Sequence, residues 1–85
     1  MAVDLFLGRL KAAAAAMAEC EGEAKAFIAE TQKAALARMA EEALRACVDG
    51  TKLAQATAVM THGLAASGLP PDITSVIFDI IGKTP

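Results

Sequence analysis

Tryptophan, tyrosine and asparagine are absent from this 85-residue chain, and three phenylalanines are its only aromatic residues. That excludes an aromatic-rich β-domain, because strands draw on aromatic and β-branched side chains for their pleated faces. Proline is missing from residues 2–48, and glycine occurs there only at Gly8 and Gly22. Eight Lys and Arg stand against ten Asp and Glu, a net charge of −2, so no domain-wide positive field is present to hold nucleic acid. The two cysteines, Cys20 and Cys47, stand at neither metal-ligand nor redox spacing. The one histidine, His62, has no Asp or Glu within a turn of it on a helix. The carboxylates Glu19, Glu23, Glu41 and Glu42 lack the Glu-x-x-His spacing of helical di-metal sites and read as a solvated face. A glycine-rich phosphate loop is also missing. We therefore expect no catalytic residue, no cofactor and no metal, and a chain that is not an enzyme.

Targeting signals are equally sparse. The first ten residues carry Asp4, and their apolar patch runs only from Leu5 to Leu7. The longest uncharged stretch, Leu53–Pro71, holds Gln55, His62 and Ser67, too polar for a membrane span. The expectation is a cytoplasmic protein, or one exported without a secretory signal. Free thiols fit a reducing compartment.

What is abundant is alanine. Of the 55% hydrophobic residues, 21 are Ala; setting these and the two Cys aside leaves 24 larger apolar side chains, a thin supply for a private core. Strong helix formers dominate residues 2–48. Val3, Phe6, Leu10, Ala13, Met17, Cys20, Ala24 and Phe27 alternate spacings of three and four, a heptad-like seam. The stripe continues more loosely through Ile28, Thr31, Ala35, Met39, Ala43 and Ala46. This pattern predicts one long Ala-rich helix over 3–48, bent at Gly22. A break at Gly22 would give a compact four-helix bundle instead. Asp49-Gly50 predicts a turn, with Gly50 as a left-handed helix terminator and Thr51 as the next cap. A second helix is expected over Thr51–Ser67, stopped by Gly68 and Pro70-Pro71. Ile73, Val76, Ile77, Ile80 and Ile81 then follow helical spacing, so residues 72–81 read as a short Ile-rich helix. A strand is the alternative there, but Ser75 and Asp79 would share the apolar face of its alternation. The expected fold class is all-α, a helical hairpin in one domain over 1–85.

The most informative segment is Leu53–Pro71, nineteen residues without a charge, whereas twelve of the eighteen charges lie between Glu19 and Lys52. A helix that is weakly apolar all round is usually buried all round. A continuous first helix of about 70 Å and a second of about 25 Å cannot provide that cover, and they leave the Val3–Met17 seam bare. Either the first helix breaks at Gly22 and folds over, or other copies do the covering. These residues point to a non-enzymatic structural subunit that self-assembles by helix–helix contacts into a homo-oligomer or filament. The expected interface comprises Phe6, Leu10, Met17, Leu53, Met60, Leu64, Ile73, Ile77, Phe78 and Ile80, and Ile77→Asp should release the assembly. In layout alone the chain resembles small polymerising helical subunits such as secretion needles. The partner is another copy or, in an alternative reading, a helix of a different protein bound by an adaptor or small chaperone. A second alternative, an amphipathic coat on lipid or polymer granules in the manner of phasin-like proteins, lacks the basic polar face and Trp of surface-bound helices.

Overall fold

A computed structural model describes residues 2–83. They form four helices, α1 (Ala2–Ala18), α2 (Gly22–Arg45), α3 (Gly50–Ala66) and α4 (Pro71–Lys83), with no strand among the described residues. The continuous helix expected over 3–48 is thus two helices. The backbone N–H groups of Glu19 and Cys20 donate to the carbonyls of Ala16 and Met17 at 3.3 Å, tightening the last turn of α1. Glu21 is extended, with φ −138° and ψ 161°. Gly22 has φ +61°, a left-handed value that an L side chain enters at a cost.

Packing overrides local propensity at this joint. A straight helix would leave the first part of the seam in water, whereas the reversal leaves Phe6, Leu10, Ala13 and Met17 each at most 5% exposed. Burying a large apolar side chain contributes about 1.5–3 kcal/mol, so three of them outweigh the roughly 1 kcal/mol lost by interrupting a helix. The reversal also ends the seam. Ala24 and Phe27 are exposed, and α2 turns a different face inward, formed by Leu36, Ala40, Ala43 and Leu44. Leu36 lies about a third of a turn from the phase set by Phe6, at 100° per residue. Of the looser stripe expected along α2, Thr31 and Ala46 are exposed and only Ala43 is buried.

The two later joints follow side-chain chemistry. Asp49 Oδ1 accepts from the N–H groups of Thr51 at 2.7 Å and Lys52 at 3.4 Å, which makes Asp49 the cap of α3. Gly50 is therefore the first helical residue rather than a left-handed terminator, and Thr51 lies inside the helix. After α3, the Ser67 hydroxyl donates to the Leu64 carbonyl at 2.7 Å and accepts from the Leu69 N–H at 3.2 Å. Gly68 supplies the positive φ, +75°, and Pro71 opens α4 at the position where its missing N–H is harmless. The Ile-rich segment is helical as its spacing predicts, with Ile73, Ile77 and Ile81 buried.

Around the bundle the neighbours run α1, α2, α4, α3; α1 and α4 sit on opposite corners without contact, and α2 touches α3 only lightly. The connection through residues 46–49 therefore crosses a diagonal. The long axis measures 42 Å against 20 and 18 Å across. Phe6, Leu36, Met60, Leu64, Ile73 and Ile77 are the largest fully buried side chains, and no polar or charged residue is buried among the described ones. At the α1–α3 crossing the helices come close: a Cβ on Gly63 would stand 2.6 Å from a Leu7 methyl.

Candidate interaction surface

Seven of the ten residues expected at an interface are spent inside the chain. Phe6, Leu10, Met17, Met60, Leu64, Ile73 and Ile77 all belong to the chain's own core. The reason is the break before Gly22: it doubles α1 back and supplies the cover that a straight helix could not. Leu53 and Ile80 are half-buried and pack against that core. Phe78 alone of the ten is exposed, at 37%.

The break covers only one side of the uncharged segment. Ala56, Met60 and Leu64 face inward. On the outer side Ala54, Gln55, Ala58, Val59, His62, Ala65 and Ala66 are exposed, and none of them is Asp, Glu, Lys or Arg. The other helices decorate their exposed surfaces with charge: Asp4, Arg9 and Lys11 on α1, seven Asp, Glu, Lys or Arg residues from Glu23 to Arg45 on α2, and Asp72, Asp79 and Lys83 on α4. Beside the outer face of α3 runs a groove of about 480 Å³ against α1, with Leu7, Ala14, Val59, His62, Gly63 and Ala66 among its walls and Lys11 as its one charged residue. Small residues make this geometry possible, since Gly63 and Ala66 let the α1 side chains lie close to the α3 backbone.

A second, wider groove of about 640 Å³ lies at the end of the bundle, between Leu44, Cys47, Leu53 and Ile80. Its rim carries Arg45 and Lys83, held by Glu41 at 3.6 Å and Asp79 at 3.8 Å respectively. These pairs are solvated, so each contributes little. The half-buried Cys47 thiol donates to the Ala43 carbonyl at 3.4 Å. Among the described residues no three His, Cys, Asp or Glu side chains converge as a metal site would require. No described helix is long and apolar enough to cross a membrane.

Sequence reasoning treated Leu53–Pro71 as one surface needing cover on every side. Part of the distinction was available in the volumes: the inward positions hold Met60 and Leu64 beside Ala56, while the outward ones hold Ala, Gln, His and one Val. Outside this region Leu5, Phe27 and Val48 are also largely exposed, at 66%, 74% and 96%, and none of the three was expected on an exposed surface. No protein-family model, curated protein or solved structure matches the chain.

Proposed function

We propose that this chain is a non-enzymatic structural subunit that associates with copies of itself through the outer face of α3 and the adjoining α1–α3 groove. One observation carries the reading: seven exposed positions spanning Ala54–Ala66 carry no charge, in a chain whose other helices all present charge to water. Removing such a face from water strips no ion of its hydration. Ala and Gly let two backbones approach closely, which increases dispersion contact for each residue buried. The same face on a second copy is its natural complement, giving an isologous pair about a two-fold axis. The contact is small and apolar, so the pair is weak, and the two-fold arrangement uses the face on both copies. The free thiols Cys20 and Cys47 suit a reducing compartment such as the cytoplasm.

Sedimentation velocity on the purified chain tests this. The wild type should form particles heavier than one chain as its concentration rises. Ala58→Glu with Val59→Glu should lower the particle mass at matched concentration without lowering the melting temperature, because both residues are exposed. A wild-type chain that stays at single-chain mass into the millimolar range sinks the proposal.

A further inference from the structure

The joint between α1 and α2 combines three features. Its linker is short, Glu19–Glu21, and lies between two segments rich in strong helix formers. No side-chain hydrogen bond caps the start of α2. The apolar 3-4 spacing of α1 also runs through it in phase, from Met17 to Cys20, Ala24 and Phe27, although Ala24 and Phe27 are exposed in the folded-back chain. Local preference thus favours a straight helix, and the buried face of α1 alone holds the reversal. That face does not depend on which chain supplies it. Phe6, Leu10, Ala13 and Met17 of a second copy present the same shape to the berth between α2 and α3.

We infer that the α1–α2 joint is a hinge that straightens into one helix, with α1 of each chain seated in the other's bundle. The occupant of the vacated berth is α1 of a second copy, and the assembly is a closed two-fold dimer. All core contacts of α1 are remade. The residues gaining cover are Ala24 and Phe27, which lie on the straightened helix where the two chains cross. This inference stands on the hinge and does not rest on the α3 face.

Two substitutions push the hinge in opposite directions. Gly22→Ala meets nothing within 4 Å in the folded-back chain, yet places an L side chain at φ +61°. It should tighten the exchanged dimer at least about a hundredfold, because each of its two hinges escapes a left-handed residue and gains a better helix former. Glu23→Pro is tolerated in the first turn of α2 but breaks a helix running through it. It should remove the exchanged dimer and its long distance, and leave the folded-back chain and its association through α3 intact.

The measurement is sedimentation velocity combined with spin-label distances between Ala12→Cys and Glu30→Cys, in a Cys20→Ser, Cys47→Ser background. Both labelled positions are exposed. Labelled chain is diluted into excess unlabelled chain so that only distances within a chain are read. A straight helix places the labels about 27 Å apart, and the folded-back hairpin brings them closer. The expected result is a dimer with the long distance, enriched by Gly22→Ala and abolished by Glu23→Pro. Dimers that keep the short distance overturn the inference while supporting association through α3. A Gly22→Ala chain with wild-type mass distribution and the short distance overturns it outright. Should Gly22→Ala fail to fold, the wild type at high concentration decides by the same distance, and a long distance that survives Glu23→Pro overturns the hinge.

Discussion

Ile77→Asp separates two accounts of the Ile-rich helix. The sequence suggests a docking element whose loss would dissolve an assembly of otherwise folded chains. The structure places Ile77 at 0% exposure in the core of its own bundle. Shortening a buried Ile to Val typically costs about 0.5–1.5 kcal/mol, and to Ala about 2–5 kcal/mol. Asp adds a carboxylate to that loss, and no buried polar or charged residue among the described ones is available to partner it. An unpartnered buried charge carries a penalty of several kcal/mol more. The total exceeds about 5 kcal/mol, whereas a chain of this length is expected to hold about 4–13 kcal/mol in all. Ile77→Asp should therefore lower the melting temperature by at least about 20 °C, at about 4–8 °C per kcal/mol. Far-UV circular dichroism with thermal melts reads this directly. Ile77→Val should lower the melting temperature by about 2–12 °C, at about 4–8 °C per kcal/mol for a domain of this size. The neighbouring Val76→Asp, at a position 37% exposed, should keep a cooperative melt. An Ile77→Asp chain with wild-type helicity and melting temperature but reduced particle mass would refute the argument and return Ile77 to an interface.

Two further outcomes follow from the helix ends and the glycines. Asp49→Ala removes the acceptor of the Thr51 and Lys52 N–H groups, and should cost about 0.5–2 kcal/mol in chemical denaturation, mostly recovered by Asp49→Ser. Gly8→Ala lies within α1 where an added Cβ meets nothing within 4 Å, so it should stabilise the chain by about 0.4–1 kcal/mol in the same assay.

Periodicity found the helices and misjudged how two of them join. Residues 72–81 were legible because Ile73, Ile77 and Ile81 repeat at a helical spacing and Pro71 fixes the start. The α3 boundaries were legible from Asp49, Gly68 and the two prolines, with the capping role moved from Thr51 to Asp49. The α1–α2 break was legible only as an alternative. A seam of apolar residues that runs on at 3-4 spacing through Cys20, Ala24 and Phe27 looks the same whether the chain continues straight there or reverses. Only the burial of Leu36 and Leu44, off that seam, distinguishes them, and that burial depends on α4, far along the sequence.

The same dependence decides what of the interaction surface could be read. Absence of charge over Leu53–Pro71 coincides with apolar surroundings only on the inward side of α3, and the outward side is exposed. The chain needs a face of Ala56, Met60 and Leu64 to close its own core, and that requirement explains half of α3. It does not explain the other half. A helix covered on one side ordinarily turns Lys, Glu or Arg outward, since long charged side chains favour both helix and solubility. Here, past the exposed Lys52 of the first turn, the outward positions hold Ala, Gln, Val and His, although α2 in the same chain shows that charged residues are readily placed on an exposed helix. Self-cover thus accounts for the core that sequence reasoning assigned to partners, and the uncharged outer face of α3 is the part of that segment it leaves exposed.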